Sequence, residues 1–213
     1  MAMALYNKLT DGENSESRGL SVPFPDEAAE NAKKAVERYG ASLKDHLSKQ
    51  LTTEDLEKYS KIVTMTSGHK EAIKSVYNDE KVITLAEFAG ENADVSDPYG
   101  GSTELYEKTA ETIFNYLKSA LFDGCAYAED KDLKDIAEIE KMLFPDFWSE
   151  NSISTQIKDR RVTVYKENGK VYGYCIFMTA ADEGEILRIG VDVAMQGRGI
   201  GNKLLKFTIN EMK

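Results

Sequence analysis

An aspartate followed by a proline, an aromatic and two glycines stands in the stretch Val95-Ser-Asp-Pro-Tyr-Gly-Gly-Ser-Thr103. Proline and glycine at such spacing make a rigid loop, and a carboxyl held on one can give or take a proton. Asp97 is therefore a candidate general acid, although an aspartate before a turn proline also has a purely conformational use. A second stretch, Gln196-Gly197-Arg198-Gly199-Ile200-Gly201, lies between an expected strand and an expected helix. Glycines let a backbone approach a ligand, and the first N–H groups of a helix are unpaired and carry partial positive charge, a combination suited to a pyrophosphate. The stretch lacks the Lys-Ser/Thr of a nucleotide triphosphate loop and follows alternating strands in place of a βαβ crossover, which disfavours a dinucleotide. Taken alone it leaves a phosphate-bearing ligand and a merely structural turn equally open.

Thiol and metal chemistry find less support. The chain has two cysteines and two histidines. Cys125 falls at an expected turn between units and Cys175 in an apolar strand, where a free thiol is inert core. His46 and His69 have no cysteine, second histidine or carboxylate cluster at ligand spacing, so no metal site is expected. Glu185, at the start of the last expected strand, is the nearest candidate base to the glycine turn, although an exposed glutamate at a strand end is more often just a solvated charge.

The elements that must position these residues alternate in period. Apolar spacing predicts helices over residues 1–9, 26–39, 68–77 and 103–121, a helix start at Thr52-Thr53, and strands at 17–21, 61–66 and 81–85, an alternating α/β unit. The pattern resets at Phe122-Asp123-Gly124. Beyond it, a short strand near 125–129 and a helix over 133–144 precede three alternating segments, 161–166, 171–178 and 185–191, which cross the Asn168-Gly169 turn like an antiparallel meander. A helix over 201–213 follows. Trp148 is expected to anchor the 133–144 helix on that meander.

Composition excludes several classes. With 41% hydrophobic and 30% charged residues the chain is ordinary for a globular protein, and its 213 residues suit two modest domains. No apolar run reaches the roughly 20 residues of a membrane span, and no secretory leader pattern opens the sequence. Unpaired cysteines suit a reducing cytoplasm. The formal net charge of -10 would repel a phosphate backbone, so nucleic acid is not an expected partner.

Two family resemblances join these fragments. Residues 17–21, Asp45-His46-x-Ser48-x-Gln50-Leu51-Thr52, Ile62-Val63-Thr64-Met65-Thr66 and Ser96-Asp97-Pro98-Tyr99-Gly100-Gly101-Ser102 together resemble the low-molecular-weight protein-tyrosine phosphatases, chiefly the bacterial branch with protein-arginine phosphatases. The resemblance implies an open parallel-sheet, three-layer unit over residues 1–121. It further implies that Asp97 protonates the leaving oxygen or nitrogen while a cysteine in a Cys-x-x-x-x-x-Arg loop takes the phosphoryl group. No such loop occurs in the sequence, and the helix at 1–9 resembles the one that follows it, so the unit is expected to lack its central first strand.

The strand Ile186-Leu-Arg-Ile-Gly-Val-Asp192 with the following glycine turn resembles the acetyl-CoA arm of the GNAT N-acetyltransferases, and Ile136 to Ser149 resembles the first helix and Pro-x-x-Trp-Ser turn of the ribosomal-protein-alanine acetyltransferase branch. That likeness covers residues 125–213 and implies the N-terminal part of a GNAT α+β fold, joined to the first unit by a linker at 122–124. It implies acetyl-CoA as cofactor, with Ile189, Gly190 and Val191 pairing with the pantetheine arm and Gln196, Gly197, Arg198, Gly199, Ile200, Gly201 and Asn202 about the pyrophosphate. The later strands and the tyrosine that protonates the leaving thiolate in that family have no counterpart here.

The expectation is a fragment of a bifunctional bacterial enzyme acting on a phosphorylated protein (phosphotyrosine or phosphoarginine) and on a protein N-terminal amine. A noncatalytic acetyl-CoA or protein-binding module, and one piece of a split protein with a complementing chain, are the alternatives.

Overall fold

The computed structural model describes residues 1–77, 80–181 and 183–212. Its contacts divide the chain into two units, Met1–Leu121 and Phe122–Lys213.

The first unit opens with helix α1 (Ala2–Thr10), whose buried Ala4, Leu5 and Leu9 share one face. The strand expected at 17–21 is replaced by a single parallel bridge between Gly19 and Gln50. Gly19 uses its N–H on Lys49 O (2.9 Å) and its carbonyl on Leu51 N (2.9 Å), while the Gln50 side chain takes up Val22 N and Leu20 O, leaving no ladder to extend. Helix α2 (Glu30–Glu37) starts later than its apolar spacing predicts. Asp26 O binds Ser48 N and Asp26 N binds Ser48 Oγ, which holds the chain extended up to the bridge between Glu27 and Leu47. Thr52 and Asp55 form a reciprocal capping box on α3 (Thr53–Lys58), satisfying two of the helix's orphan donors.

Strand β1 (Ile62–Thr64) ends early because Thr66 turns away to cap α4 (Ser67–Lys74), accepting from His69 N. Strand β2 (Val82–Thr84) lies parallel to β1, Val63 opposite Ile83. It runs straight into α5 (Leu85–Ala89), a short helix that periodicity does not reveal, but the pair Thr84 and Glu87 caps it reciprocally. Helix α6 (Thr103–Phe122) closes the unit. Leu56, Ile73 and Val82 form one core cluster, and Tyr39 stacks on Phe114 with ring centroids 4.4 Å apart.

In the second unit the short strand expected near 125–129 is strand β3 (Cys125–Tyr127), and Cys125 opens it instead of lying in the turn before it. A 3-10 turn at 130–132 leads into α7 (Leu133–Leu143), which stops before Pro145. Helix α8 (Glu150–Lys158) is not among the elements expected from apolar spacing; Ser149 caps it by accepting from Ser152 N. Strands β4 (Val162–Glu167), β5 (Lys170–Ala180) and β6 (Glu183–Val191) follow, and the antiparallel order is β3-β4-β5-β6. Between β5 and β6 the register slips after Ile176, which faces Arg188, so that Phe177 faces Ile186 and Leu187 bulges. Helix α9 (Ile200–Met212) comes after a second 3-10 turn, and Lys213, the end of the expected helix, lies outside the described residues.

One face of this sheet, with Val162, Val164, Tyr174 and Ile176, packs with Ile136 and Ile139 of α7 and Ile153 and Ile157 of α8. Thr163, on the other face by strand alternation, meets Thr208 of α9 at 2.6 Å between hydroxyl oxygens, and Thr208 donates to Leu204 O at 2.8 Å. Trp148 packs against the first of these cores, as expected of an anchor.

Candidate functional site

The Asp97 loop is built on the carboxyl end of β1. Val95, buried, donates its N–H to Met65 O at 2.9 Å, and Asp94 accepts from the Ser67 N–H at 2.9 and 3.0 Å and from its hydroxyl at 2.9 Å. Past this clamp the Asp97 carboxylate accepts from Tyr99 N at 3.0 Å and is itself exposed, while Pro98 is buried and Gly101 N closes the turn on Pro98 O at 2.9 Å. Gly100 adopts φ 73, where a side chain is strained. Gly101 has no room for a Cβ, which would sit 2.9 Å from Pro98 O and 2.5 Å from Leu105 Cδ2. The loop is thus a stiff bracket that offers one carboxyl to solvent beside Tyr99, which is 87% exposed.

No thiolate stands with it. All residues before Cys125 lack a thiol. Burial pushes the Cys125 thiol up to about 12 and the Cys175 thiol up to about 11, so both are protonated at neutral pH. Arg18, in the first resembling stretch, is committed to Asp55, with Nε and one terminal nitrogen each 2.8 Å from a carboxylate oxygen. Burial lowers the pKa of His46, whose ring lies 3.5 Å from the Ser17 hydroxyl. Glu185 is exposed at the β6 edge.

In the second unit a cleft of about 530 Å³ lies between the end of α7, the end of β6 and the start of α9. Ile189, Gly190, Val191, Gln196, Gly197, Gly199, Ile200 and Gly201 line it together with Leu143, Phe144 and Met195. Arg198 and Asn202 are not among its walls. Arg198 folds back instead, one guanidinium nitrogen 2.9 Å from Met195 Sδ and another 3.8 Å from Glu167. Gly197 and Gly199 both have φ 78, and a Cβ built on either meets nothing within 4 Å, so the turn needs glycine for its backbone and leaves open space in front of it. The Gln196 side chain braces the turn by donating to Val191 O at 3.0 Å. The first helical turn of α9 has donors with no preceding turn to bond, and its ladder starts with Lys203 N on Gly199 O at 3.0 Å.

Gly190 is required by packing, since a Cβ there would lie 2.8 Å from the Tyr174 ring and 3.0 Å from Leu143. Leu143 and Phe144 were read as helix residues only. The signal for their place in the cleft is Pro145, which ends α7 and leaves its last turn facing β6. A flat wall of strand backbone, an apolar wall and a helix start with unpaired N–H donors have the shape and chemistry for a long, thin ligand with an apolar arm and a phosphate group.

A carboxyl bracket at the end of a parallel strand in the first unit, and in the second an antiparallel meander ending in a glycine-rich helix start, define an α/β phosphatase-like unit followed in sequence by an acetyltransferase-like one. Residues 1–131 match the low molecular weight phosphotyrosine protein phosphatase family and residues 158–213 match the acetyltransferase (GNAT) domain. The chain belongs to the low-molecular-weight phosphotyrosine protein phosphatase family and carries a GNAT domain after it.

Among its relatives are the protein-arginine-phosphatase of Geobacillus stearothermophilus, 32% identical over 126 residues (56% of this chain, 84% of the relative), and that of Bacillus subtilis, 32% over 125 residues (55% and 83%). The crystal structure of a low-molecular-weight protein tyrosine phosphatase from T. tengcongensis superposes with a TM-score of 0.52 at 30% identity, covering 55% of this chain and 85% of that one. A YwlE mutant from Bacillus subtilis superposes at 0.51 and 30%, covering 55% and 84%.

Proposed function

We propose that this chain is part of a bifunctional bacterial enzyme, a protein phosphatase of phosphotyrosine or phosphoarginine joined to an acetyl-CoA-dependent N-acetyltransferase acting on a protein N-terminal amine. In this reading Asp97 donates the proton to the leaving oxygen or nitrogen, and the nucleophilic cysteine comes from a segment outside these 213 residues, in the same or a complementing chain. Acetyl-CoA, when bound, supplies the activated acetyl group. The backbone of Ile189 to Val191 orients its arm, and the amides of residues 197–202 hold its pyrophosphate. A cytoplasmic setting suits both reactions, and no helix among the described residues is long and apolar enough to cross a membrane.

The convergence of the glycine turn, the Ile189–Val191 backbone and the Phe144 wall on one cleft is the observation that carries this reading. Calorimetry with acetyl-CoA tests it. Binding by the wild type and its loss in a Gly199→Glu, Gly201→Glu double variant is the expected result, and equal affinity in both proteins sinks it. The chain alone should hydrolyse no aryl phosphate, since a proton donor without a nucleophile cannot cleave the ester. Turnover that disappears in Asp97→Asn would refute this. A noncatalytic binding role for the whole chain is favoured by one observation, that both thiols, Cys125 half-buried and Cys175 buried, are protonated at neutral pH.

A further inference from the structure

Glu140 is the anomaly of the second unit, a carboxylate on α7 with no solvent exposure beside a core of buried Ile, Val, Ala and Tyr side chains. Burying a charge is costly unless it is paired, and a buried ion pair adds little stability over apolar residues of the same size, so its place calls for another reason. Its partners converge from three elements. The Tyr174 hydroxyl of β5 donates to Oε2, Trp148 N donates to Oε1 at 3.0 Å, and Arg188 of β6 places Nε 3.2 Å from Oε1. That Nε is buried and makes no hydrogen bond, so its contact with Glu140 is one of charge.

The rest of Arg188 reaches the same turn. Its terminal nitrogen donates to Asp146 O at 3.0 Å, with the Asp146 carboxylate at 3.5 Å, and the guanidinium lies over the Phe144 ring, 4.3 Å from its centre. Glu140 and Arg188 therefore hold alternate residues of the turn after α7, at Phe144, Asp146 and Trp148. Arg188 stands next to the bulge of β6 and directly precedes Ile189 of the cleft, while Phe144 is part of the opposite wall.

We propose that Glu140 and Arg188 are a positioning pair that fixes the Phe144 wall against the end of β6 and so sets the width of the cleft where the coenzyme's arm lies. This rests on the reading that the cleft takes acetyl-CoA. The pair touches no phosphate, because the glycine turn is held separately by Gln196 and by the start of α9. A ligand with the arm needs the pair, and a ligand with only the nucleotide end does not. Stacking on Phe144 and the bond to a carbonyl both use the planar fork of arginine, so lysine is not an equivalent replacement.

The test uses the full chain with acetyl-CoA and with 3′-phosphoadenosine 5′-diphosphate, which keeps the pyrophosphate and lacks the arm. Arg188→Ala should weaken acetyl-CoA about tenfold, the equivalent of one contact of ordinary strength. 3′-Phosphoadenosine 5′-diphosphate should bind as to the wild type. Glu140→Gln, which keeps an acceptor for Trp148 N, should fall between. Amide exchange in either variant should rise at residues 144–148 and stay unchanged in β4 and β5. A merely structural pair would weaken both ligands alike and raise exchange across the whole unit, and either result overturns the proposal. If the wild type binds neither ligand, the coenzyme reading fails by itself, and the exchange pattern alone decides whether the pair positions the turn.

Discussion

Arg18 grips Asp55 through both carboxylate oxygens, and the two side chains are only 17% and 11% exposed. They come from positions 37 residues apart, and Asp55 also caps α3 through Thr52, so one carboxylate ties the Ser17–Gly19 segment to a helix start. Removing the guanidinium leaves a nearly buried anion unpaired, and Arg18→Ala should cost about 3 kcal/mol of stability in the first unit, read from urea unfolding. The arginine's hydrogen bonds hold the Asp55 carboxyl below its ordinary 3.8. A depressed folded-state pKa stabilises above the unfolded value and is lost as pH falls through the folded one. Stability of the first unit should therefore drop as pH falls below 3.8, and Asp55→Asn should flatten that slope while lowering stability at neutral pH. A slope unchanged by the substitution would remove the pair from the account. In the second unit, Thr208 gives its hydrogen to Leu204 O, so Thr163 must donate to Thr208. Thr208→Val should leave the buried Thr163 hydroxyl without a partner and cost about 1–3 kcal/mol, whereas the double Thr163→Val, Thr208→Val variant should cost less than the single one. Thermal melts of the three proteins check the order.

Among the described residues, the sheet of the first unit consists of β1 and β2, and the segment at 17–21 belongs to neither. Two parallel strands leave backbone groups on the free edge of β1 for another strand to pair with. On the proposal that the nucleophile arrives with such a strand, a prepended segment ending in Cys-x-x-x-x-x-Arg-Ser-Pro should slow amide exchange at residues 62–64 and create phosphatase turnover. Equal protection without the segment would show that β1 already has its full set of partners. The segment at 17–21 also shows where sequence reading stops. Its residue types suit a strand, but a strand exists only with a neighbour to pair with, and side chains of Gln50 and Arg18 take its backbone instead. Long helices and the three-strand meander were legible because their apolar faces repeat over many residues. Helices α5 and α8 were missed where the signal was a cap, Thr84 with Glu87 and Ser149 with Ser152, rather than a period. The glycine turn and Asp97 could be singled out by type and spacing, whereas Leu143 and Phe144 join the cleft only through the close approach of α7 to a glycine strand.

For the whole molecule, two separately packed units predict two unfolding events in calorimetry. If the acetyl-CoA reading is right, the ligand should raise the midpoint of one transition, by about 3 kcal/mol at a hundredfold excess over its Kd, and leave the other where it was. Movement of both transitions would mean that the units do not unfold independently. The order of the second sheet matters for time as well as for stability. Its strands are neighbours in the same sequence as they are made, and β4 and β5 are joined only by Asn168 and Gly169, both at positive φ. A hairpin with so short a loop closes in about 1–10 μs, whereas the first unit must bring Asn31 to Thr103, 72 positions away. The earliest long-lived contact in a refolding chain should therefore form around Gly169. The single tryptophan sits in this second unit. Stopped-flow fluorescence with tryptophan-selective excitation would record the second unit settling and report little of the slower assembly of the unit that is synthesised first, whose fluorophores are tyrosines.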